Sequence, residues 1–281
     1  MDIVHDPARQ CFEAFVEGHR CELDYQREGE RLLITHTGTA PALRGRGLAG
    51  LLVEHALAWA APEALQLVPL CSYVRVHVDR HTRWQRLLGP AAAQQVLNFW
   101  FGALGSATDG QQRPEWFRKD EAFDAQIRER FGALIAQALA GGLRDWDREP
   151  YGALARLVLL DQFTRNVYRG TAQAFAGDAL AREAALALIG RGEDRRLSTV
   201  QRVFIYLPLE HAEDLALQER SVALFEALAA EDPRLDGTAD YARRHREVIA
   251  RYGRFPHRNA ALGRASTADE ETYLAQPGSG F

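Results

Sequence analysis

The sequence lacks the features that mark membrane proteins and nucleic-acid-binding proteins. No apolar run reaches the roughly 18 residues that are needed to cross a bilayer. The 34 basic and 38 acidic residues give a formal net charge of −4, so no general attraction to nucleic acid or to an anionic membrane is expected. The length of 281 residues is sufficient for two ordinary domains.

Cysteine is scarce, and the signals for secretion are missing. The three cysteines, Cys11, Cys21 and Cys71, are odd in number and lie in the first third of the chain. The N-terminal segment MDIVHDPARQ has neither the basic start nor the apolar stretch of a secretion signal. These features predict a cytoplasmic protein with free thiols rather than a disulfide framework.

Residues 1–89 have the pattern of a small α+β domain. Residues 20–26 alternate between apolar and polar, which is typical of a half-buried strand. Pro62 is expected to end a helix that begins at Leu48. The strands are expected at residues 11–17, 20–26, 32–34 and 65–70, and the helices at residues 48–61 and 72–81.

Residues 90–281 are expected to form a second, all-α domain, because they contain no convincing strand. An apolar stripe at helical spacing covers residues 123–139. Capping boxes at Ser198 and Thr267 each begin a helix, and Pro208 is expected to interrupt the first of these helices. Antiparallel helical hairpins are the expected architecture. Further helices are expected at residues 150–163, 215–228 and 241–249.

One loop of the first domain points to a specific ligand. It is the segment Arg44-Gly45-Arg46-Gly47-Leu48-Ala49, which joins the third strand to the first helix. Its glycines let the backbone approach a ligand, and the N–H groups at the start of the helix suit a phosphate. The two arginines add positive charge that can pair with phosphate oxygens. The alternative is that the glycines serve only the geometry of the turn.

The order of strand, R-x-x-G-x-A loop, helix and strand resembles the core of the GCN-five-related N-acetyltransferases, the GNAT superfamily. More narrowly, HTGTAPALRGRGLAG followed by PLCSYV is similar to very small, stand-alone GNAT-like proteins. The resemblance implies acetyl-CoA as the cosubstrate, with its pyrophosphate on the amides of Gly45 to Ala49. It also implies that the strand around Ile34–Thr37 splays apart from Leu67–Leu70 to admit the pantetheine arm.

Acetyl transfer needs a base for the acceptor amine and an acid for the CoA thiolate. His36 is the candidate base because histidine titrates near neutral pH, while Gly38 stands where some small relatives carry Glu. Cys71 follows the fourth strand, and its thiol can protonate the leaving group or take the acetyl group itself. The alternatives are that Cys71 is a small buried apolar residue and that His36 has no catalytic role. The acceptor stays open, as a protein or a small amine.

No metal site is predicted. The second domain contains neither an HExxH motif nor a pair of ExxH motifs. The histidines of the first domain other than His36 lack the spacing of metal ligands and are expected to be ordinary surface residues: His5, His19, His55, His77 and His81.

Three polar clusters stand out in the second domain. Asp161 and Arg165 share one face of a helix end, where the simplest interpretation is an ion pair between neighbouring turns. His211 and Asp214 lie together in a second segment. A loop fixed by a proline carries the third cluster, which comprises Arg254, His257, Arg258 and Asn259.

These clusters, with NFWFGALG at 98–105 and YRGTAQAFAGD at 168–178, resemble a bacterial all-helical family called domain of unknown function 924. The resemblance implies a tetratricopeptide-like fold, and it provides no activity that can be transferred to this chain. Thr164 stands where the family usually has proline, and Glu210 stands where it has an apolar residue. We hypothesise an anion-binding pocket formed by Arg165, Arg254, His257 and Arg258.

Two classes of function follow from the sequence. The first is an acetyl-CoA-dependent N-acyltransferase fused to a helical domain of unknown role. The second is a non-catalytic CoA-binding or scaffold protein whose helical domain binds a peptide or protein partner. A helical domain that is itself an enzyme acting on an anionic metabolite is a further alternative. The sequence indicates neither the acyl acceptor nor the oligomeric state.

Overall fold

The computed structural model describes residues 1–280, and the chain forms two compact units. The first unit extends to Gln111 and the second begins at Gln112. Among the described helices, none is both long enough and apolar enough to cross a membrane.

The first unit contains a mixed sheet of five strands in the order β1-β2-β3-β4-β5. The first four strands are antiparallel neighbours, and β5 runs parallel to β4. The short first strand was not predicted, because three residues are too few to show an alternating pattern. The strands are β1 (Val4–Asp6), β2 (Cys11–Val16), β3 (His19–Glu28), β4 (Arg31–Thr39) and β5 (Gln66–Pro69).

One face of this sheet packs on two helices, α1 (Leu48–Ala60) and α2 (Ser72–Arg80). Strand β3 contributes alternate residues to the shared core, as its sequence predicted. Leu23 of β3 and Leu52 of α1 are both fully buried there. Burying a leucine side chain contributes roughly 1.5–3 kcal/mol, so this face holds the unit together.

Strand β4 contains one extra residue relative to β3. Tyr25 pairs with Ile34 and Asp24 pairs with His36, so Thr35 has no partner across the ladder. Such a bulge resets the alternation of side chains between the two faces of a sheet. After the bulge, the side chain of His36 points away from the core face.

A third helix, α3 (Ala91–Phe101), also belongs to the first unit. Its buried Gln94 donates to the backbone carbonyls of Leu65, Leu87 and Gly89. The domain boundary predicted from the sequence falls just before this helix, and the structural division falls after it.

The second unit is helical, and its described residues contain no strand. Helices α8 (Thr199–Glu210), α9 (Leu215–Glu231) and α10 (Asp236–Tyr252) pack on one another in chain order. The described helices of this unit are α4 (Glu121–Leu139), α5 (Pro150–Leu157), α6 (Thr164–Val167), α7 (Asp178–Gly190), α8 (Thr199–Glu210), α9 (Leu215–Glu231), α10 (Asp236–Tyr252) and α11 (Ala268–Leu274).

Helices α5 and α6 are joined without a break by a π-helical segment, Val158–Phe163. Every residue of this segment is buried. Gly177 lies so close to it that an added Cβ would approach the carbonyl oxygen of Leu160 to 2.1 Å. A π-helical turn inside a buried helix is often found at functional sites.

The prediction that Pro208 interrupts its helix is wrong. Helix α8 begins at the capping box of Ser198, as predicted, and continues past the proline to Glu210. Proline removes one backbone hydrogen bond and costs about 3 kcal/mol in a free helix. Here residues 200–210 are all buried, so their packing outweighs that cost.

Candidate functional site

The loop before α1 has an open backbone at its two glycines. Gly45 and Gly47 have φ angles of +79° and +76°, and an added Cβ on either would meet no atom within 4 Å. Gly47 is the N-cap of α1, and no side chain caps this helix start. The N–H groups of the first turn are therefore available to an anion. Arg44 is exposed beside them, whereas Arg46 forms an ion pair of 2.8 Å with Glu17.

The sheet opens beside this loop, because β4 continues after β5 has ended. The last pair in the β4–β5 ladder is Ile34 with Pro69, and the rest of β4 pairs only with β3. The expected separation from Leu67–Leu70 is therefore found only at the end of that range. The chain then turns, and the backbone N–H of Cys71 donates to the carbonyl of Ile34 at 3.0 Å.

Cys71 is the N-cap of α2 and lies at the inner end of this opening. Its sulfur is 3.5 Å from the hydroxyl oxygen of Thr37. Burial alone would raise the pKa of the Cys71 thiol, but hydrogen bonds from Thr37 and from the backbone N–H groups of Val74 and Tyr73 outweigh it, so the pKa is lowered. A thiol stabilised as thiolate in this way is a better proton donor and a better nucleophile.

A second group of polar side chains lies on the opposite face of β4. Glu22 of β3 pairs directly with Gly38, and His36 lies two residues before Gly38 on the same face. A Cβ added to Gly38 would lie 3.1 Å from Oε1 of Glu22 and 3.2 Å from Nε2 of His36. The space left by the glycine is thus bordered by a carboxylate and an imidazole.

The second unit contains a buried charge cluster around the π-helical segment. Asp161 is fully buried, and its Oδ1 accepts from Nδ1 of His211 at 2.8 Å. Arg165 lies 3.1 Å from the same oxygen and makes a two-pronged contact with Asp178, at 2.9 and 3.1 Å. Arg258 reaches Asp178 as well, at 3.2 Å. Two carboxylates and two guanidinium groups therefore lie together, with Asp161 and Arg258 buried and Arg165 and Asp178 partly exposed.

The electrostatics of this cluster follow from burial and mutual charge. Burial alone would raise the pKa of Asp161, but the charge of Arg165 and the contact with His211 hold it well below its usual range. Burial and the charge of Arg165 lower the pKa of His211. Burial and the charge of Arg258 lower the pKa of His257 to about 4. The two histidines are therefore neutral at pH 7, and Asp161 is ionised.

Next to the cluster is a buried carboxyl group, Glu210. Burial and the nearby charge of Asp161 raise its pKa to about 8. Nδ1 of His245 lies 3.1 Å from its Oε1, and burial lowers the pKa of His245 to about 3. Glu210 is therefore protonated and His245 neutral at pH 7, and both are accommodated without charge.

Comparison with known proteins accounts for both units. The signature of a bacterial protein family of unknown function, DUF924, matches residues 96–278. The chain belongs to the DUF924 family. Residues 11–87 match the signature of the GCN5-related N-acetyl-transferases, so the predicted combination of a GNAT-like domain with a DUF924 domain is confirmed.

One solved structure is similar to this DUF924 protein, that of a protein of unknown function, ATU0120, from Agrobacterium tumefaciens. It is 40% identical, with a TM-score of 0.58, and the match covers 66% of this chain and 97% of the other. No curated protein matches.

In the GNAT-like unit of this DUF924 protein, the predicted site residues fall into two groups. The loop residues line one helix start, although Leu48 is buried and half-buried Ala49 lies inside α1. Those two residues can offer only backbone groups to a ligand. His36 and Cys71 lie on either side of β4 rather than together, because the bulge turns His36 away from the core face.

In the helical unit the structure brings together Asp161, Arg165, His211, His257 and Arg258. The other three predicted residues have structural contacts instead. Asp214 caps α9, Arg254 makes a two-pronged contact with Glu270, and the side-chain amide of Asn259 donates to Ser266.

Sequence reasoning missed four residues of these sites. Asp178 was quoted within a family motif but was given no role, and Glu210 was noted only as a departure from the family. Glu22 showed no signal beyond its place in an alternating strand, since its position beside Gly38 depends on the pairing of two strands. His245 showed none, because its partner lies on a different helix.

Proposed function

We propose that the GNAT-like unit is an acetyl-CoA-dependent N-acyltransferase. The observation that carries the proposal is the opening of the sheet between the phosphate-type loop and Cys71. The helix start at Gly47 would bind the pyrophosphate. The gap beyond Ile34 and Pro69 would hold the pantetheine arm, so that the thioester would lie at the edge of β4, within reach of Cys71 from one face of the sheet and of His36 and Glu22 from the other.

In this proposal, the two faces of β4 have different roles in one transfer. The acceptor amine attacks the acetyl carbon from the side of His36 and Glu22, and this pair takes the proton that the amine loses. The carbon–sulfur bond breaks, and the Cys71 thiol gives its proton to the departing CoA thiolate. The lowered pKa of Cys71 suits this acid role, because the thiolate that remains is stabilised by Thr37 and by the start of α2.

Glu22 is a substitute for the carboxylate that β4 lacks at position 38. Its side-chain oxygen lies beside the space in which a residue-38 side chain would begin. Arg20 holds the other Glu22 oxygen at 2.6 Å, which orients the carboxylate over Gly38. A base can thus be supplied across the ladder from β3 rather than from β4 itself.

Binding is tested by calorimetry with acetyl-CoA. We expect wild type to bind and Gly47→Glu to lose binding, because a carboxylate in the phosphate loop repels the pyrophosphate. Gly29→Glu is the matched control, since Gly29 also has positive φ and open space but lies in the hairpin turn between β3 and β4. Absence of binding by wild type would contradict the proposal.

Catalysis is tested by release of free CoA with a panel of amines. We expect Glu22→Gln to lower the rate about 10²-fold or more without changing acetyl-CoA affinity. The double variant Glu22→Ala/Gly38→Glu removes the carboxylate from β3 and places one on β4. It is expected to restore a large part of the rate. A wild-type protein that binds acetyl-CoA and releases no CoA with any amine would favour the non-catalytic alternative.

For the helical unit we propose a site for a small anion at Arg258, with His211 as a base beside it. The guanidinium of Arg258 lies over the rings of Phe175 and Phe255, at 4.8 and 4.4 Å. Its buried Nε has no hydrogen-bond partner among the described residues. Asp161 fixes Nδ1 of His211 as the donor, so Nε2 carries the lone pair. These observations support the anion hypothesis, with Arg254 left out because Glu270 already holds it.

The test uses inorganic phosphate and citrate as probes in thermal unfolding. Both anions are expected to raise the unfolding temperature of wild type but not of Arg258→Met, which keeps apolar contact with the two rings. Arg246→Ala, at an exposed position on α10, is the control and is expected to respond as wild type does. An equal response of the Arg258 variant would refute the site. The tetratricopeptide-like arrangement, and peptide binding with it, stays a prediction.

A further inference from the structure

A cluster of three potential metal ligands lies in the first unit, away from the acetyl-transfer site. It consists of Glu54 on α1, His77 on α2 and His81 just beyond α2. One ligand atom from each lies within 4.8 Å of the others. The sequence predicted no metal site, because the glutamate and the histidines lie on different helices and only folding brings them together. His77, expected to be an ordinary surface residue, is in fact largely buried.

The two histidines are spaced to act together. They are four residues apart, so they project from the same side of α2, and their rings stack at 4.1 Å. Nδ1 of His81 lies 2.8 Å from the carbonyl oxygen of His77. A carbonyl oxygen only accepts, so Nδ1 carries the proton and Nε2 of His81 keeps its lone pair for a metal.

Glu54 is held in place by surrounding donors. Its Oε1 accepts from Nε2 of His77 at 2.8 Å and from the indole of Trp84 at 2.9 Å, and Arg83 contacts its other oxygen. Contacts of this kind orient metal-ligating carboxylates in known sites. In a tetrahedral zinc site the ligand atoms lie about 3.3 Å apart, so zinc can take the place of the proton between His77 and Glu54 after a small movement.

We propose that Glu54, His77 and His81 form a binding site for a divalent transition metal of the zinc type. Two imidazoles and one carboxylate are a ligand set that zinc accepts, with water completing the coordination. A groove of about 680 Å³ borders Glu54, Arg83 and Trp84, so solvent can reach the carboxylate. The guanidinium of Arg83 is the competitor, because it neutralises the charge that the metal would use.

A metal at this site would join the two helices of the proposed acyltransferase. Helix α1 begins at the phosphate-type loop, and helix α2 begins at Cys71. Glu54 lies in the middle of α1, and the two histidines lie at the C-terminal end of α2. Metal binding would therefore stabilise the relative positions of the N-termini of these two helices. The site does not depend on the proposed acetyl transfer, and it exists whether or not the unit is catalytic.

The experiment is zinc titration of the full chain, by calorimetry and by the visible absorbance of cobalt as a substitute. We expect one metal ion to bind per chain. The affinity for zinc is expected to be weaker than that of wild type by about tenfold or more in His81→Ala. It is expected to be tighter in Arg83→Ala, because that variant lacks the competing positive charge. His81 is exposed, so its variant is expected to fold, which circular dichroism checks. His19→Ala, at an exposed histidine of β3, is the matched control.

Thermal unfolding gives a second readout. Zinc is expected to raise the unfolding temperature of wild type and of His19→Ala by the same amount, and that of His81→Ala by less at the same zinc concentration. No binding by wild type at millimolar zinc would overturn the proposal. Equal affinity of wild type and His81→Ala, or of wild type and Arg83→Ala, would overturn it as well.

Discussion

The buried carboxyl group of Glu210 makes the stability of the helical unit depend on pH in an unusual direction. Its pKa rises from an ordinary value of 4.5 to about 8, so folding favours the protonated form. The contribution is fully present below about pH 4.5 and is lost as the pH rises through about 8. Ordinary buried ion pairs behave in the opposite way, because they lose stability in acid.

The size of the effect follows from the two pKa values. The rise from 4.5 to about 8 corresponds to about 5 kcal/mol, at about 1.4 kcal/mol for each pH unit. Between about pH 6 and about pH 9 the expected loss is about 3 kcal/mol. His245 adds little above about pH 7.5, because its pKa of about 3 keeps it neutral in the folded state and an exposed imidazole is then neutral as well.

The assay compares wild type with Glu210→Gln, whose amide oxygen can still accept from His245 but cannot ionise. Hydrogen exchange of the α8 amides, corrected for the intrinsic exchange rate at each pH, reports the stability of this unit by itself. The variant is expected to gain about 3 kcal/mol relative to wild type between about pH 6 and about pH 9. Glu219→Gln, at an exposed position of α9, is the control and is expected to show no such gain.

A stability difference between wild type and Glu210→Gln that stays constant over this pH range would refute the reasoning. It would mean that Glu210 ionises in the folded protein at little cost, through water or through an ion pair with His245.

Two further predictions concern the backbone and the thiol. Gly177→Ala is expected to destabilise the protein by about 3 kcal/mol or more, because the new Cβ would overlap the carbonyl oxygen of Leu160. Gly190→Ala, where a Cβ meets nothing within 4 Å, is expected to stabilise it by about 0.5 kcal/mol, and urea unfolding measures both. Thr37→Val is expected to raise the pH at which iodoacetamide alkylates Cys71, because the variant lacks a hydrogen bond that lowers the thiol pKa. Mass spectrometry follows the alkylation, and an unchanged pH profile would contradict that cause.

The sequence predicted the elements whose signals are local. The capping box of Ser198, the glycines of the phosphate-type loop and the alternation in β3 each depend on neighbours a few residues away, and each is present in the structure. The α+β unit followed by a helical unit is confirmed for the same reason.

The rest depends on contacts between distant segments. Pro208 stays inside its helix because of tertiary packing, and helix propensities do not describe such packing. The bulge at Thr35 arises from a mismatch between two strands, and it moved His36 to the face opposite Cys71. Arg254 was predicted as an anion ligand from its place in a polar loop, but in the folded chain its guanidinium is paired with Glu270, which is 16 residues away in the sequence.

Strand β4 separates the two sides of the proposed site, because neighbouring residues of a strand face opposite sides of the sheet. His36 and Thr37 are neighbours in sequence, yet one faces the side from which an acceptor would come and the other faces the thiol. Changes to either compartment can therefore be made independently, by substitutions at adjacent positions. Deleting Thr35 would remove the bulge and leave both sides as they are, because His36 would still pair with Asp24 and Thr37 with Leu23.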